Sequence, residues 1–100
     1  TAQPYFGVSI SSTYTGEVLE LYGYPTGAVV SSVAEGSPAD KSGIVRGDII
    51  TEFNGTKIKE YTEFGELLLD CKPNDTVEIT IYRSGKYYTV NVKLASDSSN

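Results

Sequence analysis

Between Tyr5 and Ser11 apolar and polar positions alternate, with Phe6, Val8 and Ile10 on one side of an extended chain and Tyr5, Gly7, Ser9 and Ser11 on the other. That is the period of a half-buried strand. Gly7 interrupts it between two large apolar residues, which points to a bulge or to close approach of another backbone. The stretch "STYTGEVLELYGYPTG" is polar and tyrosine-rich, and Val18, Leu19 and Leu21 predict one brief helical turn before Gly23, Pro25 and Gly27 break it. A second strand, "AVVSSV", precedes "EGSPADKSG", where Ser37 as N-cap, Pro38 at the first position and Gly43 past the end predict a short helix. "GDIITEFNGTKI" predicts a strand, a tight turn at Asn54-Gly55 and a short return strand. From Tyr61 to Cys71 the period turns helical, with Phe64, Leu68 and Cys71 on one face, Leu67 at its margin and Gly65 inside at some cost. Two alternating strands, Val77-Ile79-Ile81 and Val90-Val92-Leu94, close the pattern around Ser84-Gly85.

The pattern therefore predicts one α+β domain of five or six strands and two helices, over residues 1–95, with a polar tail at 96–100. One hundred residues suffice for a single core. Eight Lys and Arg against 13 Asp and Glu give a net charge of -5, which opposes a nucleic-acid or anionic-membrane partner. No apolar run reaches the ~20 residues that would cross a bilayer, and the abrupt start and the "ASDSSN" end read as cut points in a longer protein. A single cysteine, Cys71, excludes an internal disulfide or a thiolate metal cluster. The absence of histidine removes the usual general base and the commonest zinc ligand, so no cofactor, metal or catalytic residue is expected. Ser–Lys chemistry needs no histidine, yet no serine lies in a G-x-S-x-G or G-[DN]-S-G-G context.

A strand whose amides are not all used by its own sheet can take up a second chain through main-chain hydrogen bonds. If the bend at Phe6-Gly7-Val8 aims successive N–H groups at one point, it forms a concave anion site that glycine lets a carboxylate approach closely. A free peptide C-terminus fits such a site.

At this point the sequence resembles the PDZ domains. "YFGV" is similar to their carboxylate-binding loop, and "GSPADKSGIVRGDIITEFNGTKI", the helix after it and "TVEITIYRSGK" follow at matching separations. The resemblance covers Tyr5 to Leu94, with the binding loop at the start, as in the circularly permuted bacterial type. "LYGYPTGAVVSSV" ahead of "GSPADKSGI" most resembles the PDZ that follows the trypsin-like domain of HtrA/DegP-type serine proteases. The resemblance implies a partly closed barrel or sandwich with two helices. It implies that the amides of Phe6, Gly7 and Val8 hold the carboxylate, that Ser9, Ile10 and Ser11 pair with the ligand backbone, and that Phe6, Val8, Ile10 and Leu68 line the pocket, with Tyr61 and Gly65 along its helix side. The partners implied are C-terminal or unfolded protein segments and a protease domain of the same parent, in an extracytoplasmic, membrane-anchored molecule. Tyr61 replaces the histidine by which many PDZ domains bind a hydroxyl, so an apolar last residue is expected. A bulky residue at Gly7 is expected to abolish capture and leave the fold.

Two alternatives stand beside this. One is a PDZ from another envelope protein, such as a C-terminal processing protease, a site-2 protease or a secretion component; the other is a structural domain that joins oligomers and binds no tail. Three features read more plainly as structure. Asp48 serves loop amides at a strand entry, Cys71 is a small buried hydrophobe, and Tyr14, Tyr22 and Tyr24 are ordinary packing.

Overall fold

Two turns frame the sheet. Asn54 and Gly55 (φ 52° and 84°), and Ser84 and Gly85 (φ 52° and 83°), both have positive φ at their central pair. That is the twist a two-residue hairpin requires. The structure, a computed structural model, describes residues 4–11 and 13–96. The first turn joins β4 (Ile49–Phe53) to β5 (Thr56–Lys57), and the second joins β6 (Thr76–Arg83) to β7 (Lys86–Lys93). With β2 (Val8–Ile10) and β3 (Ala28–Val33) they form one antiparallel sheet in the order β2-β3-β4-β6-β7, with β5 added on β4. A separate short ribbon pairs β1 (Pro4–Tyr5) with β8 (Ala95–Ser96), so the two ends of the described chain lie side by side.

The α+β architecture is as expected, with two differences. Among the described residues the sheet is open, with β2 and β7 as its free edges, rather than partly closed into a barrel. Three helices are present among the described residues, because the brief turn expected after Gly16 is a six-residue helix, α1 (Gly16–Leu21), whose N-cap Thr15 accepts from the Val18 N–H at 3.4 Å. In α2 (Pro38–Lys41) the cap reads as expected, with Ser37 accepting from the Asp40 N–H at 3.2 Å and Pro38 in the first turn. The third helix, α3 (Tyr61–Leu69), ends two residues before Cys71.

One face of the sheet carries the core. Val30, Ile50, Ile79, Ile81 and Val92 pack there with Phe53 and Phe64, and the Phe64 ring stands edge-on to both Phe6 (5.1 Å) and Phe53 (5.8 Å). Such edge-to-face pairs each contribute about 0.5–1.5 kcal/mol beyond the area they bury. By strand alternation Val29, Ile49 and Tyr82 point to the opposite face, which is covered by the fully buried Leu19 of α1. Gly65 is exposed in the middle of α3, and an added Cβ would meet nothing within 4 Å. Gly65→Ala is therefore expected to raise stability by about 0.5–1 kcal/mol through helix propensity alone. A thermal midpoint that rises by roughly 3–6 °C would agree; a fall would mean that the glycine has a packing role.

Candidate functional site

The expected opening strand is two strands. Between β1 and β2 the chain turns at Phe6 and Gly7, with Gly7 at φ 95°, a conformation L side chains rarely adopt. Distant elements hold this turn by its carbonyl groups. The Ala39 N–H, in the first turn of α2, donates to the Phe6 carbonyl at 3.0 Å, and the Ala34 N–H donates to the Gly7 carbonyl at 2.8 Å. In a trans peptide the N–H points opposite to the C=O. No cis bond is found among the described residues, so the N–H groups of Gly7 and Val8 are turned away from α2 and β3. Among the described residues no backbone bond is made by the Phe6 or Gly7 N–H.

The same alternation fixes what β2 offers along its length. Among the described residues β2 pairs with β3 on one side only, in the register Val8↔Val33, Ser9↔Ser32 and Ile10↔Val30, and β3 carries one extra residue, Ser31, opposite the Ser9–Ile10 step. The Ser31 hydroxyl donates to the Ser9 carbonyl at 3.0 Å. The Ser11 N–H donates to the Val29 carbonyl at 2.9 Å, so it points into the sheet. Ser9, one alternation earlier, points the same way. This corrects the assignment of Ser9, Ile10 and Ser11 as a pairing trio: the outward main-chain groups belong to Val8 and Ile10, while Ser9 and Ser11 are spent on β3.

The side chains expected to form a pocket are gathered around one cluster, with one exception. Phe6 is fully buried in the core, and Val8, Ile10, Tyr61 and Leu68 are half-buried against that core, as are Leu67 and Cys71. Gly65 is exposed, and a side chain there would touch nothing within 4 Å. Burial pushes the Cys71 thiol pKa up, and the carboxylates of Asp75 and Asp70 raise it further. Its Sγ lies 3.6 Å from the Leu67 carbonyl, so it behaves as a small protonated apolar group.

Gly7 does more than the sequence suggests. A Cβ at Gly7 would fall inside the side chain of Ser37, the buried cap of α2. The expectation that a bulky Gly7 variant keeps its fold is overturned, since the contact that shapes the loop also seats the helix. Sequence reasoning also missed the partner of Asp48. Its carboxylate accepts from the Val45 N–H at 3.0 Å, as a turn aspartate does, and is also gripped by Arg83 at 2.6 and 2.7 Å.

Comparison with known proteins follows from this geometry. The family model described as PDZ domain matches residues 4–94. The Serine protease Do-like HtrA of Bacillus subtilis (strain 168) is 38% identical over 101 residues, covering 92% of this chain and 22% of that protein. A Probable periplasmic serine endoprotease DegP-like of Rhizobium meliloti (strain 1021) is 34% identical over 94 residues, covering 92% of this chain and 18% of that protein. The chain thus spans about a fifth of the length of these relatives. Among solved structures, the HtrA3 PDZ domain bound to a phage-derived ligand, FGRWV, superposes with a TM-score of 0.79 at 22% identity, covering 96% of this chain and 88% of that one. An HtrA-type protease AlgW with decapeptide superposes at 0.81 and 20% identity, covering 99% and 31%. At that identity the likeness shows a shared fold.

Proposed function

The chain belongs to the PDZ domain family, and from that premise we propose that it binds extended segments and free C-termini of proteins as an added strand on β2. The observation that carries this reading is the inward anchoring of the Phe6 and Gly7 carbonyls by Ala39 and Ala34. It leaves the N–H groups of Gly7 and Val8, with that of Phe6 before them, to receive a carboxylate. Because that anion site lies at the start of β2, the ligand runs antiparallel to the strand and pairs with the outward groups of Val8 and Ile10. Its last side chain enters between β2 and α3, over Val8, Ile10, Tyr61 and Leu68, with Phe6 beneath them. That lining is apolar and favours an apolar C-terminal residue.

In the parent molecule the domain recognises substrate tails for an HtrA/DegP-like serine protease that works outside the cytoplasm. The support is the naming of the relatives above as serine proteases, one of them periplasmic. Expected affinity is micromolar, ~-8 kcal/mol or weaker. Amidating the C-terminus of a bound test peptide removes the charge that the amides hold and is expected to weaken binding at least tenfold, about 1.4 kcal/mol. Calorimetry that finds acid and amide bound equally would end the carboxylate reading and favour a structural domain.

A further inference from the structure

The face of the sheet turned away from α3 holds a cavity of about 720 Å³ that the carboxylate site does not use. Its volume is within the roughly 300–1,000 Å³ of ordinary ligand sites. Tyr14, Tyr24 and Tyr82 line it together with Val29 and Ile49. Tyr14 and Tyr24 are 39% and 48% exposed, and Tyr24 stands edge-on to Tyr82 at 6.1 Å. Tyrosines of this kind give large contact area at low entropic cost, with a hydroxyl for hydrogen bonding.

Arg46 is the one charged side chain in that lining. It is exposed and makes no ion pair among the described residues, in a chain whose net charge is -5. Its backbone is fixed from both sides. The Asp48 carboxylate accepts from the Val45 N–H at 3.0 Å, and the Gly47 N–H donates to the Val30 carbonyl at 2.9 Å. The position from which Arg46 projects is therefore fixed at the mouth of an aromatic groove.

The geometry points to a second binding site, in which the Tyr14–Tyr24–Tyr82 groove takes an internal protein segment carrying an aspartate or glutamate between aromatic residues. The aromatic side chains lie against the tyrosines and the acid pairs with Arg46. The site is independent of the strand-addition groove, because it needs no free C-terminus and lies on the other face of the sheet.

A capped peptide, acetyl-GFDFG-amide, tests this directly, since it has no terminal carboxylate for the first site. Titrated into the isotopically labelled 100-residue chain, it is expected to shift the amide resonances of Gly47, Ser84 and Gly85 saturably while those of Gly7 and Val8 stay in place. The GFNFG analogue, and GFDFG against Arg46→Gln or Tyr14→Ala, are each expected to bind roughly two- to fivefold more weakly. Both substituted residues are exposed, so the fold is retained. Shifts confined to Gly7–Ile10, no saturable shift, or equal binding of the aspartate and asparagine peptides would each overturn the proposal.

Discussion

Gly7→Ala is expected to destabilise the domain by about 4 kcal/mol or more, a large part of the roughly 5–15 kcal/mol that holds a domain of this size. Three effects combine. The backbone at φ 95° costs an L residue about 1–3 kcal/mol. The new methyl group would occupy the place of the Ser37 side chain, which is 3% exposed, and overpacking of this kind costs about 1–3 kcal/mol. Displacing Ser37 also breaks its bond to the Asp40 N–H, an N-cap worth about 1 kcal/mol. A double-mutant cycle separates the contact from the backbone strain. Ser37→Gly alone costs only a few tenths of a kcal/mol as a cap change, and it empties the space the new Cβ needs. Gly7→Ala/Ser37→Gly is expected to be more stable than the sum of the single changes by about 1–3 kcal/mol in urea unfolding. Strict additivity would show that the Gly7–Ser37 contact is not the source of the cost. The glycine thus has a packing role of its own, so the proposed carboxylate capture is better tested by altering the ligand than by altering the loop.

What could be read in advance divides along the distance between interacting residues. Asn54-Gly55, Ser84-Gly85 and the Ser37-Pro38 start of α2 were legible because the geometry they demand is set within four residues, and all three stand as expected. The strand face Phe6, Val8 and Ile10 and the helix face Phe64, Leu68 and Cys71 were legible because period 2 and period 3.6 identify such faces, whereas their grouping with Tyr61 into one pocket came from the family resemblance. Periodicity does not say toward which neighbour a strand turns its N–H groups. That depends on the β2–β3 register, and so Ser9 and Ser11 were assigned an outward role that belongs to Val8 and Ile10. Closure of the sheet was misjudged for the same reason, since it would need β2 and β7 to meet. Asp48 was read from its own turn and does cap Val45, but its strongest partner lies 35 residues further on.

That partner supports the second large effect. Arg83→Ala is expected to cost about 3 kcal/mol, and more than Asp48→Asn. The pair is bidentate, Nε to Oδ1 at 2.7 Å and Nη2 to Oδ2 at 2.6 Å, and Nη2 also donates to the Gly43 carbonyl at 2.9 Å, tying the end of β6 to the 43–48 turn. The hydrogen bond to Asp48 raises the Arg83 pKa further, so the guanidinium is charged at any working pH. The two ends of the pair are unequal, with the Asp48 side chain 1% exposed and that of Arg83 37% exposed. Removing the arginine strands a buried carboxylate with only the Val45 N–H for company, and an uncompensated buried charge costs about 3–5 kcal/mol. Water entering through the half-open arginine site reduces the penalty, which places the estimate at the lower end. Asp48→Asn keeps an oxygen for Val45 and leaves behind a guanidinium that is partly exposed, bonded to Gly43 and set 5.6 Å over the Tyr88 ring. Arg83→Lys should fall between the two, because an ammonium is a point charge that cannot grip both oxygens in parallel. Urea midpoints measured at pH 7 should rank Arg83→Ala below Arg83→Lys and Arg83→Lys below Asp48→Asn. If Asp48→Asn is the least stable of the three, the pair is held together by the turn that Asp48 caps rather than by the charge it buries.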